Sequence, residues 1–580
     1  MKKIIIFSAF ILYFTSNISA QIFQKITNQP LVQDGAYGSG CAWGDYNNDG
    51  KLDLIVTSYN DFGNSSYPLL YKNMGNGNFA IDNSSVISTN TLYQTLSCAW
   101  ADYNHDGKID LLVTTGFNQD NLLYKNLGNG NFTRITSGNI VNDPGHSGGV
   151  NWIDYNKDGY LDVLIVQHGY NSLYKGNPDG SFTKITDSPI VTDNGTHRRA
   201  MWGDYDNDGY PDLFVCNFNG EKNNLYHNNR NGTFTKITEG AIVNDISWGS
   251  GCAWGDYNND GWLDLYVTNG GGGPNFLYKN NHDGTFTRVL DAGSIVTDTD
   301  AGFGCNWGDV NNDGYLDMFV ANNYNQHNAL YINNGNGHFT KLATDITCTD
   351  IPQSSVGSAF GDYNNDGKLD LFVVNQGYNQ PPQNDFLYKN IGANDDYLEF
   401  RLLGGGIGSR VTLRIGNYIA IREVSGGNGC SSQDMPWVHF GLGFLGDNST
   451  ATVDSVRIDW NDGFTQTLNN VPINQQIDVN GIIGISHNTN EVPKEFSLSQ
   501  NYPNPFNPTT TIEYSILKAS NVKLTVFDVT GRTITTLVDT KENSGNYKVD
   551  FNASDIPSGV YFYKIQTEEF TNTKKMILIK

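Results

Sequence analysis

The sequence predicts an all-β chain, a seven-bladed β-propeller closed by its N-terminal strand and followed by two small β-sandwich-like domains. Three observations predict it. With 64 Gly and 12% aromatic residues, the chain reads as strands broken by turns rather than as long helices. A nine-residue acidic element recurs seven times, at intervals of 57, 52, 50, 52, 53 and 53 residues, which is the period of a four-stranded blade. The two ends of the repeat array are incomplete in complementary ways. At 580 residues the chain also exceeds what a single hydrophobic core sustains.

Residues 1–20 read as a secretory signal peptide. Lys2 and Lys3 precede an apolar run from Ile4 to Phe14 and a small-residue end at Ser19 and Ala20. The run is shorter than the roughly 20 residues a bilayer requires, and no other stretch approaches it, so no transmembrane segment is expected after cleavage near Gln21.

Residues 21–391 carry the repeat. In each unit an aromatic strand (CAWGDY) enters the acidic loop, an apolar strand such as LDLIVT leaves it, a third strand carries LYKN, and a tight NGN-type turn leads to a fourth of the form FTKIT. Phe23 to Asp34 match the fourth-strand segment that begins at Phe182, although no first three strands precede them. The seventh unit stops after its third strand, at Leu387 to Asn390. The N-terminus therefore supplies the strand the last blade lacks, which closes a ring and leaves no open sheet edge. An open solenoid gives no reason for the two ends to complement one another.

The seven cysteines are an odd number and exclude a complete disulfide framework. Cys41, Cys98, Cys252 and Cys305 each stand two residues before a Trp, where other repeats place Val150, Ala200 and Ser358. A position that accepts Cys, Val, Ala or Ser is a small packed site, so these four read as buried free thiols. Cys216, Cys348 and Cys430 have no evident partner.

The acidic element has the pattern DxNxDGxxD. Oxygens at positions 1, 3, 5 and 9 and the backbone carbonyl at position 7 can converge on one point, while Gly at position 6 allows the sharp turn. The seven sets are Asp45, Asn47, Asp49, Lys51 and Asp53; Asp102, Asn104, Asp106, Lys108 and Asp110; Asp154, Asn156, Asp158, Tyr160 and Asp162; Asp204, Asp206, Asp208, Tyr210 and Asp212; Asp256, Asn258, Asp260, Trp262 and Asp264; Asp309, Asn311, Asp313, Tyr315 and Asp317; and Asp362, Asn364, Asp366, Lys368 and Asp370. So many hard oxygen ligands in a flexible loop suit Ca²⁺ rather than Mg²⁺, one ion per blade and up to seven in all. The loops lack the Glu at position 12 of an EF-hand, and their flanks alternate like strands. A metal-free Asn- and Asp-rich turn is the alternative for any single copy.

Magnitudes favour the ion. Carboxylates about 4 Å apart repel by roughly 4 kcal/mol per pair at an effective dielectric of 20. Three per loop, with Asp206 added, account for 22 of the 60 acidic residues, and seven Ca²⁺ would move the formal charge from −24 to −10. The acidity is therefore largely metal-site chemistry, and it excludes nucleic acid as a partner. Over residues 21–391 this repeat resembles the FG-GAP or VCBS family of integrin-α-like propellers.

Downstream, the stretches from Gly406 to Gly443 and from Val453 to Val479 resemble an ASPIC/UnbV domain over residues 394–480. Gly408 to Val411, Arg422 to Gly427, Gln433 and His439 to Gly443 carry the likeness. Cys430 stands where the family pattern has an aromatic, and the loop at Gly404 to Gly406 is short. The resemblance implies a small β domain. Residues 481–494 form a polar linker. Residues 495–580, with the Pro-Asn-Pro-Phe-Asn-Pro run from Pro503 and the turn Ser558 to Tyr561, are similar to type IX secretion C-terminal sorting domains. That resemblance implies a β-sandwich read by the type IX machinery and export to the cell surface or medium.

Loops on the face opposite the acidic hairpins carry a recurring aromatic-amide pair. The aromatics are Tyr59, Phe117, Tyr170, Phe218, Tyr324 and Tyr378, each followed by Asn, whereas the fifth blade has a Gly-rich run ending at Pro274. An aromatic face stacks on sugar C–H groups while an amide bonds hydroxyls, so these loops could bind an extracellular glycan or protein ligand. Equally, each Asn could close a turn and each ring pack between blades. No nucleophile elbow, HExxH helix or phosphate loop is present. The expectation is an adhesin-like binding protein. The alternative, a polysaccharide-degrading lyase or hydrolase on the same loop face, requires His168, Tyr170, His197 and Arg198 to converge in a cleft.

Overall fold

The computed structural model describes residues 21–480 and 496–579, except for 34, 36, 60–67, 89–93, 117, 146, 377–382, 394–395, 404–405, 446–450, 502–503, 519, 543–544, 554–555 and 568. The signal-peptide and linker assignments, together with Phe117 and Tyr378, lie outside the described residues.

The chain is all-β in its main elements. The repeats form seven four-stranded antiparallel sheets. Their first strands are Gly38–Gly44, Thr95–Ala101, Ser147–Ile153, His197–Gly203, Gly249–Gly255, Gly302–Gly308 and Ser355–Gly361. Each lies against the next, and Ser355–Gly361 lies against Gly38–Gly44. The last sheet takes its fourth strand from the N-terminus: Phe23–Ile26 pairs antiparallel with Phe386–Asn390, Phe23 opposite Asn390 and Ile26 opposite Leu387. The carboxylate of Asp345 anchors this strand by accepting from the backbone N–H of Ile22 at 2.8 Å and of Phe23 at 3.1 Å.

The repeated sequence signature does its packing between sheets. The Tyr that follows the first Asp of an acidic loop stacks on the Trp of the next sheet, as Tyr46 does on Trp100 with planes 10° apart, and Tyr363 of the last repeat stacks on Trp43 of the first. The indole N–H of Trp43 reaches back to donate to the Ala359 carbonyl at 3.3 Å, and that of Trp100 to Ala42 at 3.2 Å. The Asn of the LYKN strand is a buried tie: Asn73 Nδ2 donates to the Tyr363 carbonyl and Asn390 Nδ2 to that of Val310, both at 2.8 Å. Burying these amides is tolerable only because their hydrogen bonds are made.

Downstream, residues 397–480 form a three-stranded and a four-stranded sheet, and residues 497–578 form another such pair. A loop of the first pair, residues 424–435, runs into the space enclosed by the first strands. Its backbone bonds Trp152, Cys41, Trp43 and Phe360, and it forms bridges with Ala42, Trp152 and Cys252.

Because Phe23 is fully buried and sits on the N-terminal strand that completes the last sheet, Phe23→Ala is expected to cost about 3 to 5 kcal/mol. Denaturant unfolding of the mature chain measures it.

Candidate functional site

The acidic hairpins share one geometry. In the first, Asp45 accepts from the backbone N–H of Asp49 at 2.9 Å and of Gly50 at 2.8 Å, and Asp49 accepts from Lys51 N–H. Positions 4 and 6 adopt left-handed backbone, with φ of 57° at Asn48 and 80° at Gly50, which Asn and Gly accept at little cost. The ninth-position Asp is buried in every copy and accepts from the LYKN strand, as Asp53 does from Asn73 N–H at 2.7 Å. The fourth position adds a feature the repeat pattern did not reveal. Asn48 Nδ2 donates to the Gly107 carbonyl of the next loop, and Asn207, Asn259, Asn312 and Asn365 do the same in turn, Asn365 back to Gly50 at 3.2 Å.

The donor set fits a hard cation. In most loops the position-3 Asn amide donates to the ninth-position carboxylate, as from Asn47 to Asp53 at 2.7 Å, and oxygen and nitrogen of an Asn amide interchange by a simple flip. The fourth loop, with Asp206 at position 3, has no such donor. There Asp212 Oδ2 is buried without a hydrogen-bond partner, and Asp204, Asp206 and Asp212 bring ligand oxygens within 4.8 Å of one another. A buried, unpaired carboxylate oxygen facing other carboxylates is a cation ligand in waiting.

Burial pushes these acids up. Asp53 and Asp110 rise to about 8, Asp154, Asp204, Asp212 and Asp256 to about 7, and Asp162, Asp264, Asp317 and Asp370 well above the carboxylate range, with neighbouring loop carboxylates adding to the effect.

The opposite face holds a funnel of about 410 Å³. Its wall is built by a bulge that recurs at the second position of each first strand: pairing skips from His197 to Arg199, from Gly302 to Gly304 and from Ser355 to Gly357. A bulge re-aims a side chain, and Arg198, Phe303 and Val356 accordingly line the funnel. Of the aromatic set, Tyr59, Phe218 and Tyr324 line it too, and His168 joins them. Tyr170 does not: it is 55% exposed and held in a short ladder opposite Asn194. The amides do close turns, since Asn118, Asn219 and Asn325 all have left-handed backbone, and Phe218 does pack between sheets, meeting Trp248 at the start of the fifth sheet edge-on at 4.8 Å, whereas Phe303 and Tyr324, edge-on at 5.5 Å, belong to one sheet. The turn-closing role of the amide is thus seen after Phe218, and Phe218 and Tyr324 also line the funnel. Phe303 was missed because it stands singly where Ser39 and Ser250 stand in related strands.

The four residues an enzyme reading requires do not meet. His168 and Arg198 line the funnel, but His197 is fully buried, its imidazole 3.4 Å from Asn224 Nδ2 and depressed by desolvation to about 4.

The loop from the downstream sheets closes the centre beneath the funnel. Glycines at the third position of the first strands admit it: a Cβ at Gly304 would press on Cys430 and one at Gly357 on Ser432. Ser431 Oγ donates to the Gly148 carbonyl at 2.8 Å, and Cys430 Sγ lies 2.9 Å from the Cys305 carbonyl. Asp434 accepts from Asn306 Nδ2 at 2.9 Å and Phe360 N–H at 2.7 Å. All seven cysteines are free and buried.

Comparison with known proteins gives a consistent frame. A family model described as FG-GAP-like repeat matches residues 45–113, 104–165, 154–215, 204–267, 256–320 and 309–373. One described as ASPIC and UnbV matches 404–482, and a secretion system C-terminal sorting domain matches 500–580. Cartilage acidic protein 1 of Xenopus tropicalis is 32% identical over 145 residues, 24% of this chain and 22% of that protein. Its Homo sapiens counterpart is 28% identical over 274 residues, 43% of this chain and 39% of that protein. The matched region thus spans well under half of these relatives. Among solved structures, an α-L-arabinanase of Penicillium chrysogenum shares 13% identity, covering 52% of this chain and 92% of its own, at a TM-score of 0.31. PorZ of Porphyromonas gingivalis shares 10%, covering 94% and 82%, at 0.21. Scores this low carry no shared fold.

Two outcomes follow from the loops and the central segment. An Asp raised in the folded state favours folding fully below its unfolded pKa of about 3.9, and that stability is lost as pH rises through the folded value. In chelator, Tm is therefore expected to fall between pH 4 and pH 8. Excess Ca²⁺ should reverse the trend, stabilising by about 4 kcal/mol per site at a thousandfold excess over Kd. Thermal melts across pH with and without Ca²⁺ check both signs. Gly429→Ala places a Cβ against the Cys252 carbonyl and is expected to expel the central loop at a cost of about 1 to 3 kcal/mol, read as new protease sensitivity between residues 424 and 435.

Proposed function

The chain belongs to the FG-GAP-like repeat family, and from that membership we propose that it is a calcium-loaded, closed seven-bladed β-propeller that binds an extracellular ligand through its funnel face. The sorting domain at residues 500–580 indicates type IX secretion to the cell surface or outside, and no helix among the described residues is long and apolar enough to cross a membrane. In this reading residues 21–391 form the propeller, with one Ca²⁺ per hairpin held by the loop residues named above. Residues 394–480 form a β domain whose loop 424–435 enters the propeller's centre, and 495–580 engage the type IX machinery.

The observation that carries the binding role is the funnel itself. Aromatic side chains from three sheets, Tyr59, Phe218, and Phe303 with Tyr324, line one concavity with the amides Asn323 and Gln376. Its size lies within the range of small-ligand sites. The hairpins act from a distance, as a scaffold that fixes the sheets whose bulges shape the funnel. Binding without turnover is favoured over catalysis because the residues that acid-base chemistry would need are dispersed, His197 being buried in its own sheet.

The test is a glycan and surface-protein binding screen on the calcium-loaded mature protein, with lyase and hydrolase assays in parallel. The expected result is binding without product, weakened at least tenfold by Tyr324→Ala and unaffected by Tyr170→Ala. Product formation that disappears on changing His168 or Arg198 to Ala would overturn it in favour of an enzyme.

A further inference from the structure

The funnel holds two adjacent arginines. Arg198 and Arg199 project from one bulged strand in the fourth sheet. Elsewhere along the repeats, cations sit beside carboxylates, as Lys236 does at 2.8 Å from Asp193 and Lys341 at 2.8 Å from Asp298. Among the described residues neither Arg198 nor Arg199 makes an ion pair, and the Nε of each is buried without a hydrogen-bond partner. The Arg198 guanidinium sits in the corner formed by two rings whose planes are 70° apart, 4.5 Å from the centre of Phe218 and 4.7 Å from that of Phe303. Arg199 Nη1 donates to the Gly148 and Arg198 carbonyls at 2.9 and 2.8 Å. Desolvation lowers Arg198 to about 10 and Arg199 to about 9, the second helped by the first.

A buried cation without a counter-ion is costly, and two adjacent ones more so. Aromatic rings packed against a guanidinium hold it in place without using its N–H donors, which stay free for a planar anion. The aromatic and amide lining suits a sugar ring, and the paired guanidinium groups suit an acidic substituent on it. Resting on the binding reading above, we propose that the funnel is a site for an acidic sugar residue of an extracellular polysaccharide, its carboxylate or sulfate ester bound by Arg198 and Arg199 and its ring stacked on Tyr324 or Tyr59. Two sources of that anion are possible, a uronate and a sulfated sugar, and the recognition chemistry is common to both.

The experiment is isothermal titration of the full mature protein with Ca²⁺ present, using three probes of matched length: an oligogalacturonate, a sulfated galactan oligosaccharide and a neutral galactan oligosaccharide. An acidic peptide serves as a fourth. One or both acidic sugars are expected to bind at least tenfold more tightly than the neutral one, with affinity falling as salt is raised. Arg198→Gln should abolish that preference, while Arg198→Lys, which keeps the charge but loses the fork, should retain part of it. Removing an uncompensated cation should leave Tm unchanged or raise it, so loss of binding in Arg198→Gln is separable from misfolding. Three results overturn the inference: acidic sugars binding Arg198→Gln as well as the parent, the neutral sugar binding equally well, or the peptide alone binding. In the second case a loss of neutral-sugar binding in Tyr324→Ala would preserve the funnel as a binding face while rejecting the acidic specificity. No binding by any probe overturns the acidic-sugar inference, while the binding reading itself stands or falls with the glycan and surface-protein screen above.

Discussion

Repulsion between carboxylates is the constraint on which the fold depends. Each hairpin draws its first, fifth and ninth Asp into one tight turn, with the ninth buried at the head of the second strand. Roughly 4 kcal/mol of repulsion per close pair at an effective dielectric of 20 would open the turn if nothing opposed it. The backbone N–H groups that Asp45 and its equivalents accept from offset only part of this. Because the same loops carry the Tyr that stacks on the next Trp and the Asn that ties to the next Gly carbonyl, an opened hairpin would loosen the junction between sheets as well as itself. Local electrostatics and global closure are therefore one problem.

The proposed ring is tied in two places. The outer edge is sealed when Phe23–Ile26 completes the last sheet. The inner edge is sealed by residues 424–435, which bond first strands on several sides of the centre. This second seal makes the funnel blind at its base, with Ser431 on Gly148 and Arg199 on the same carbonyl. A through-channel would hydrate the arginines fully. A blind funnel holds them in a partly desolvated setting where an anion gains more from meeting them.

Much of this was legible in the sequence because it recurs at fixed spacing. The acidic loops, the four strands and the displaced N-terminal strand all declare themselves by register, and so does the small site that holds Cys41, Cys98, Cys252 and Cys305. What escaped was what depends on contacts between distant segments. The central loop meets first strands some 390 residues away, as Ser432 does with Cys41, and its only trace is the run of glycines at the third strand position. The funnel escaped for a related reason. Side-chain direction at the second position is set by a bulge, which composition does not encode, so Phe303 looked like an isolated departure from the repeat, and Arg198, named on the loop face, could not be separated from its buried neighbour His197. Tyr170 illustrates the converse: it matches the aromatic-amide pattern, yet a two-residue ladder with Asn194 and Gly195 carries it outside the funnel.

In the proposed function, tightly held divalent ions are the common support of the hairpins, the sheet junctions and the face they shape. Elemental analysis of the purified mature protein after exhaustive dialysis against metal-free buffer tests this most directly. The account predicts close to seven calcium ions per chain, one for each acidic loop; a protein that remains folded while retaining none would contradict it.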